Sequence, residues 1–594
     1  MKRAHGQLRR GQVITTYGPG ALIDLPQHSA IVGGLQAWPK FTQLDEIIEP
    51  RVTAKLRTLT GVPNPRVYSP PAATNDPRET PIGIGAYRFP EWFVVQEKQS
   101  TQDRQKSRRL VHRRKLDNKG RLDGLPVVAT RFVRACPKGH VDDLDWYRFV
   151  HGPDDKCRRQ LWLDERGTSG DLADLVVRCE CKKSRDFYEA TLLDTVPLGT
   201  CHGARPWLGR NSNEDCGHPA RLLIRTASNA YFSQSVSVLS LPEHGSDVTV
   251  AVRELWDLLQ NVSTKDQIAT FRLIPKVTEG LAPFNDDDVM DAIEMLKHGV
   301  ANDRPVKYVE LDALLAAPEG YGEDVPIDPN FHARRLPDAA WRASERSSRI
   351  ESVIQLHRLR EVIALMGFSR FEAITPDING EYDSDVERAQ IDREPAWFPA
   401  VENRGEGVFV RFRADDIDAW LDRPVVKGRL AHLEAGHRRW QEHRKSQRPF
   451  PGGPYVLLHT LSHLMIQSMA MRCGYPASSI RERIYSDTYG GRYGFLLYTG
   501  SSDAEGTLGG LVYQAHNIED HLLQALRSAE LCSNDPICAH HVPGGDLEER
   551  WLHGAACHGC ALVAETSCDM RNDYLDRGLV VPIIGAAGAA YFGK

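Results

Sequence analysis

Residues 532–568 read CSNDPICAHHVPGGDLEERWLHGAACHGCALVAETSC, placing five cysteines at Cys532, Cys538, Cys557, Cys560 and Cys568. The CxxC of Cys557 and Cys560 lets two thiolates reach one ion from a single tight turn, and the Cys532/Cys538 pair can close a tetrahedron around it. Thiolate-rich tetrahedral sites with no open position hold structure in place rather than perform chemistry, so the stretch predicts structural Zn2+. An iron–sulfur cluster and ordinary buried thiols are the competing readings.

Upstream of the cysteines, YGFLLYT (Tyr493 to Thr499) and GEGVFVRF (Gly405 to Phe412) have strand character. Pro454 to Arg472 reads as a helix with proline at its start and little charge on any face, hence deeply buried. Together they predict an α/β C-terminal domain, 401–594, carrying the four-cysteine site. Residues 236–400 read as mainly helical: an apolar helical period runs from Val250 to Val262, and Asn285 to Asp288 form an acidic helix start. Ile350, Val353, Leu356, Leu359, Ile363 and Met366, spaced by three and four before Gly367, predict an amphipathic helix.

A second group of six cysteines falls in 131–235. Cys136 stands in CPKGH with His140, followed by Cys157, Cys179 and Cys181, Cys201 beside His202, and Cys216 near His218. Short strands with so little apolar sequence do not offset their conformational entropy unaided, so this region reads as a zinc-stapled, β-rich insertion with one or two sites of open pairing. The first 130 residues, rich in proline and glycine, read as irregular α+β. The chain as a whole is therefore expected to be a multidomain α+β protein.

Its 594 residues carry a formal charge of −5, so any contact with nucleic acid has to be local. MKRAHGQLRR is basic but leads into no apolar h-region, and no run is long enough to span a membrane, which predicts a cytoplasmic chain. In a reducing compartment twelve cysteines, eleven of them in two clusters with Cys473 apart, are better read as metal ligands than as disulfides. Neither Gly18-Pro19-Gly20-Ala21 nor Gly506 to Gly510 is followed by the Lys-Ser/Thr of a phosphate-binding loop, which argues against ATP hydrolysis by this chain alone.

From Arg104 to Lys115, seven of twelve positions are basic (Arg104, Lys106, Arg108, Arg109, Arg113, Arg114, Lys115) with no acid among them. Such a run is a candidate for sequence-independent contact with a nucleic-acid backbone, including single strands. A second run, Arg438, Arg439, Arg444, Lys445 and Arg448, surrounds Trp440. His459 and His463 lie i, i+4 on the buried helix, but HTLSH lacks the glutamate of a zinc protease, so they read first as core histidines. The enzyme alternative is a metal-dependent hydrolase or nuclease using both, with an acid such as Asp503 or Glu505.

The tail, from YGFLLYTGSSDAEGTLGGLV through LCSNDPIC to GAACHGCALVAETSCDMRNDYLDR, resembles the cysteine-bearing C-terminal domain of MrfA-type superfamily 2 helicases. With RRGQVITTYGPGALIDL, RFVRACPKGHVDDLDW and PWLG, the wider chain resembles the DrmB family of the bacterial DISARM anti-phage system. The resemblance implies that Cys532, Cys538, Cys557 and Cys560 take the four ligand positions, with Cys568 a surplus fifth. It also implies a non-catalytic subunit partnering a separate DrmA-type DNA helicase and supporting DNA loading and restriction of invading DNA. A purely architectural scaffold without DNA contact is the remaining alternative.

Overall fold

The computed structural model describes residues 6–26, 28–72, 83–97, 106–167, 170–209, 211–242, 247–298, 305–326, 328–342, 345–382, 386–499, 510–543 and 550–593. Its organising element is a single 20-residue strand, Ile350–Ser369, which corrects the helix expected over 350–366. Val353 faces a cluster with Val408, Val410 and Leu457, while its neighbour Ile354 faces another with Phe409, Tyr485 and Leu496. A strand covered on both faces reads as a nearly continuous apolar run, from which a three-four spacing can be picked by chance. A register shift between Leu356 and Leu359 further breaks the period of two.

Ile350–Ser369 lies second in a sheet of order Phe232–Ser240, Ile350–Ser369, Trp397–Phe412, Arg492–Thr499, Ile480–Asp487, with Phe331–Arg335 and Arg66–Tyr68 added at its sides. The main pairings are antiparallel; Arg66–Tyr68 joins Trp397–Pro399 in parallel. Phe232–Ser240 and Trp397–Phe412 run straight through positions 235/236 and 400/401, where composition alone suggested domain boundaries. One sheet thus serves three cores: residues 362–368 pack with Val13, Ile14 and Val52, 350–353 pack against the C-terminal helices, and Ile354, Leu356 and Leu359 pack on the other face with Leu311 and Leu314.

The helix Gly453–Cys473 lies against this sheet and is buried without interruption from Gly453 to Ile466. Pro454 occupies its first turn, where a missing N–H costs nothing, and Gly474, at φ 70°, closes it. Ile518–Ala529 packs alongside it.

The N-terminal cysteine region is built on a six-stranded antiparallel sheet of order Ser184–Asp186, Leu175–Cys179, Leu161–Glu165, Lys106–His112, Trp92–Val95, Val127–Ala129. Beside it lies a small sheet of Arg221–Ile224, Phe132–Ala135 and Val141–Asp142. Helices between Asp247 and His298 enclose a separate core of Val252, Leu259, Ile268, Val277 and Ile293. The acidic start at 286–288 is a capped helix end, with Asn285 Oδ1 accepting from the Asp288 amide at 2.8 Å.

Candidate metal centres

Cys532 and Cys538 come from the turn that follows Ile518–Ala529, and Cys557 and Cys560 from a turn 25 residues on from Cys532. The pairs meet with sulfur separations of 3.4 Å (Cys532–Cys557), 3.8 Å (Cys538–Cys560) and 3.7 Å (Cys557–Cys560). Four thiolates on one ion with bonds of about 2.3 Å sit roughly 3.8 Å apart, whereas a disulfide needs about 2.05 Å, so this spacing fits a tetrahedral metal and not a crosslink. The cluster is pinned from behind by Arg577, fully buried, which donates to the Ala529 carbonyl at 2.9 Å and pairs with Asp535. Hydrogen bonding from Cys560 draws the Cys538 thiol down to about 5, while the same bond and burial push Cys560 far up. Crowded thiols of this kind ionise together only around a cation.

Two further clusters divide the N-terminal cysteines. Cys136 and His140, on the CPKGH turn after Phe132–Ala135, meet Cys201 and Cys216. His140 Nδ1 lies 3.3 Å from the Cys136 sulfur and 3.5 Å from that of Cys201, and its Nε2 lies 2.7 Å from Glu214, a partner that fixes the ring. Hydrogen bonding from Cys136 foremost lowers the Cys201 thiol to about 3. His151, Cys157, Cys179 and Cys181 form the other. Here His151 Nε2 lies 3.3 Å from the Cys181 sulfur, and its Nδ1 is tied to the Tyr147 carbonyl at 2.9 Å. The Lys183 amide foremost draws the Cys181 thiol to about 6.

The residues named from sequence in this region are thus sorted into one Cys3His set each. His151 was missed there, although HGPDDKC places it six residues before Cys157. His202 instead takes a hydrogen bond from Arg134 at 2.8 Å, and His218 lies beside Cys216 outside the four. Cys568 does not join the C-terminal four; it is buried beside His459, sulfur to Nε2 3.0 Å.

The middle of the basic run is neutralised. Arg108 pairs with Glu165 at 2.9 Å, Arg109 pairs with Glu97 and Asp123, and Arg113 lies 3.8 Å from Glu91. Lys106, Arg114 and Lys115 are exposed, and Arg104 lies outside the described residues. In the second run, Arg438 and Arg444 pair with Glu434 and Glu372, and Arg448 is bound to Thr375. Asp503 and Glu505 also lie outside the described residues.

Over 476 residues the chain is 30% identical to the DISARM protein DrmB of Bacillus paralicheniformis, covering 78% of this chain and 82% of the relative. The chain belongs to the DrmB family. Within this DrmB-family chain, residues 461–561 match the MrfA Zn-binding domain, which encloses Cys532, Cys538, Cys557 and Cys560 and ends before Cys568. The four-cysteine cluster is accordingly a structural zinc site. Residues 9–232, which contain both Cys3His clusters, match a domain family of unknown function, DUF8724. Among the described residues no helix is long and apolar enough to cross a membrane.

Proposed function

We propose that the chain is a non-catalytic, zinc-stabilised accessory subunit of a DISARM-type anti-phage assembly. In this reading it partners a separate DrmA-type superfamily 2 helicase and adds to its grip on invading DNA. The observation that carries the reading is the joint kinship with DrmB over most of the chain and with the MrfA Zn-binding domain at its C-terminal end. The motor belongs to the partner, since the chain has no phosphate-binding loop of its own. Zinc centres that each clamp two or three separate loops make rigid surfaces of them, which lowers the ordering cost of binding protein or phosphate. Lys106, at the start of the strand Lys106–His112, and Arg114 and Lys115, just past its end, offer local positive charge at the two ends of that strand for backbone contact.

The test is co-expression of the chain with a DrmA-type helicase, followed by gel filtration and gel shifts at several salt concentrations. Stoichiometric co-elution and DNA binding that weakens steeply with salt are expected. A chain that stays separate from the helicase contradicts the partnership, and co-elution without any DNA contribution favours the scaffold reading.

A further inference from the structure

Outside the three sulfur-rich clusters, the interior holds a fourth group: His459 and His463 from Gly453–Cys473, Glu482 from Ile480–Asp487, and Cys568 from the C-terminal turn. Their ligand atoms all lie within 4.8 Å of one another. The side chains of His459, His463 and Glu482 are 0% exposed. We infer that these four residues form an additional, closed zinc site.

Hydrogen-bond polarity fixes the orientation of one ring. His463 Nδ1 lies 2.8 Å from the Ala561 carbonyl, which only accepts, so Nδ1 carries the hydrogen. A neutral ring so held points the lone pair of Nε2 at Glu482 Oε1, 3.2 Å away. His459 Nε2 converges on the same oxygen at 2.9 Å and on the Cys568 sulfur at 3.0 Å. A cation at their centre would satisfy two imidazoles, a carboxylate and a thiol aimed at one point.

The surroundings are those of a metal site. Ser462 donates to the other oxygen of Glu482, so the carboxylate is held with Oε1 inward. Backbone amides of Met570 and Asn572 donate to the Cys568 sulfur at 3.3 and 3.1 Å, contacts that favour a thiolate. A divalent ion balances one carboxylate and one thiolate with no residual charge, whereas either anion alone in this interior pays a heavy desolvation penalty. Donors N2OS with no open position suit tetrahedral zinc.

This assignment recasts the histidine pair: with all four positions taken by buried side chains, the site staples and leaves no place for a reactive water. It also links two centres, because Ala561, which orients His463, directly follows Cys560 of the four-cysteine site. The pair Glu482 and Cys568 was hidden in sequence by distance, though Glu482 sits between Ile480 and Ile484 on one face of its strand.

Elemental mass spectrometry on the purified full-length chain, with zinc as the probe, reads the count directly. Four zinc ions per chain are expected, falling to three in His463→Ala and in Cys568→Ser. Should those variants fail to fold, zinc X-ray absorption on the unaltered chain decides. Eleven sulfurs and five nitrogen or oxygen donors shared among four ions are expected, against ten and two among three without this site. Three zinc ions with the ten-to-two ratio, a count unchanged in folded variants, or iron in the fourth place overturns the assignment.

Discussion

Gly203 is the most exacting place to perturb the Cys136, His140, Cys201, Cys216 centre. It stands at φ +67°, and a Cβ added there falls 1.6 Å from the carbonyl oxygen of Glu214. The left-handed backbone alone costs a non-glycine residue about 1–2 kcal/mol. The collision matters more. Ordinary contact is about 3.5 Å, so the loop carrying Cys201 and the loop carrying Cys216 have to part by roughly 2 Å. Metal ligands tolerate about 0.2 Å, so the displacement exceeds what the site can absorb by roughly an order of magnitude. Gly203→Ala is therefore expected to lose one zinc equivalent and to melt at lower temperature. Gly217→Ala, one residue past Cys216 with nothing within 4 Å of the added carbon, is expected to keep its zinc. Zinc content by mass spectrometry with thermal unfolding reads both, and a Gly203→Ala protein with full zinc and an unshifted Tm refutes the reasoning.

Other expectations follow from single contacts. Arg370, fully buried, donates to the carbonyls of Gly139 (2.8 Å), Gly20 (2.7 Å) and Ala230. Arg370→Met strands those carbonyls at about 1–3 kcal/mol each, so denaturant unfolding should show a loss of several kcal/mol, with faster zinc transfer from the CPKGH centre to a chelator; wild-type behaviour in both counts against it. Burial, with the nearby Arg472 charge, lowers His521 to about 4; its ring sits between Ser468 (3.1 Å) and Gln514 (2.9 Å). A base with a depressed folded value contributes nothing above about pH 6.5; below it the unfolded chain takes up the proton first, and stability falls until about pH 4 by roughly 3 kcal/mol. His521→Gln should flatten the stability profile in that window, and parallel profiles would dismiss the effect. Replacing Lys106, Arg114 and Lys115 by glutamate should weaken DNA binding and lower its salt slope, whereas an equal slope would move the DNA contact elsewhere.

What the chain reveals of itself depends on how local each feature is. The CxxC at Cys557 and Cys560, the CPKGH turn and the buried helix with proline at its start are encoded within a few residues, and they are legible as written. The strand Ile350–Ser369 is not, because burial on both faces erases the alternation that marks a half-exposed strand. The basic run misleads for a related reason: its counter-charges Glu97, Asp123 and Glu165 arrive from 12, 14 and 57 residues away, so a stretch without acids becomes a paired surface once the sheet closes. Cys568 looked like a spare fifth ligand because its companions, His459 among them 109 residues earlier, are brought to it only by the packing of helix on sheet.

Zinc is proposed as the element that rigidifies this chain at the sulfur-rich centres, and the zinc content of the intact, folded protein purified without added metal tests that role most directly. At least three ions per chain are predicted, released only as the structure unfolds. A folded, cooperative protein that contains no zinc would contradict it.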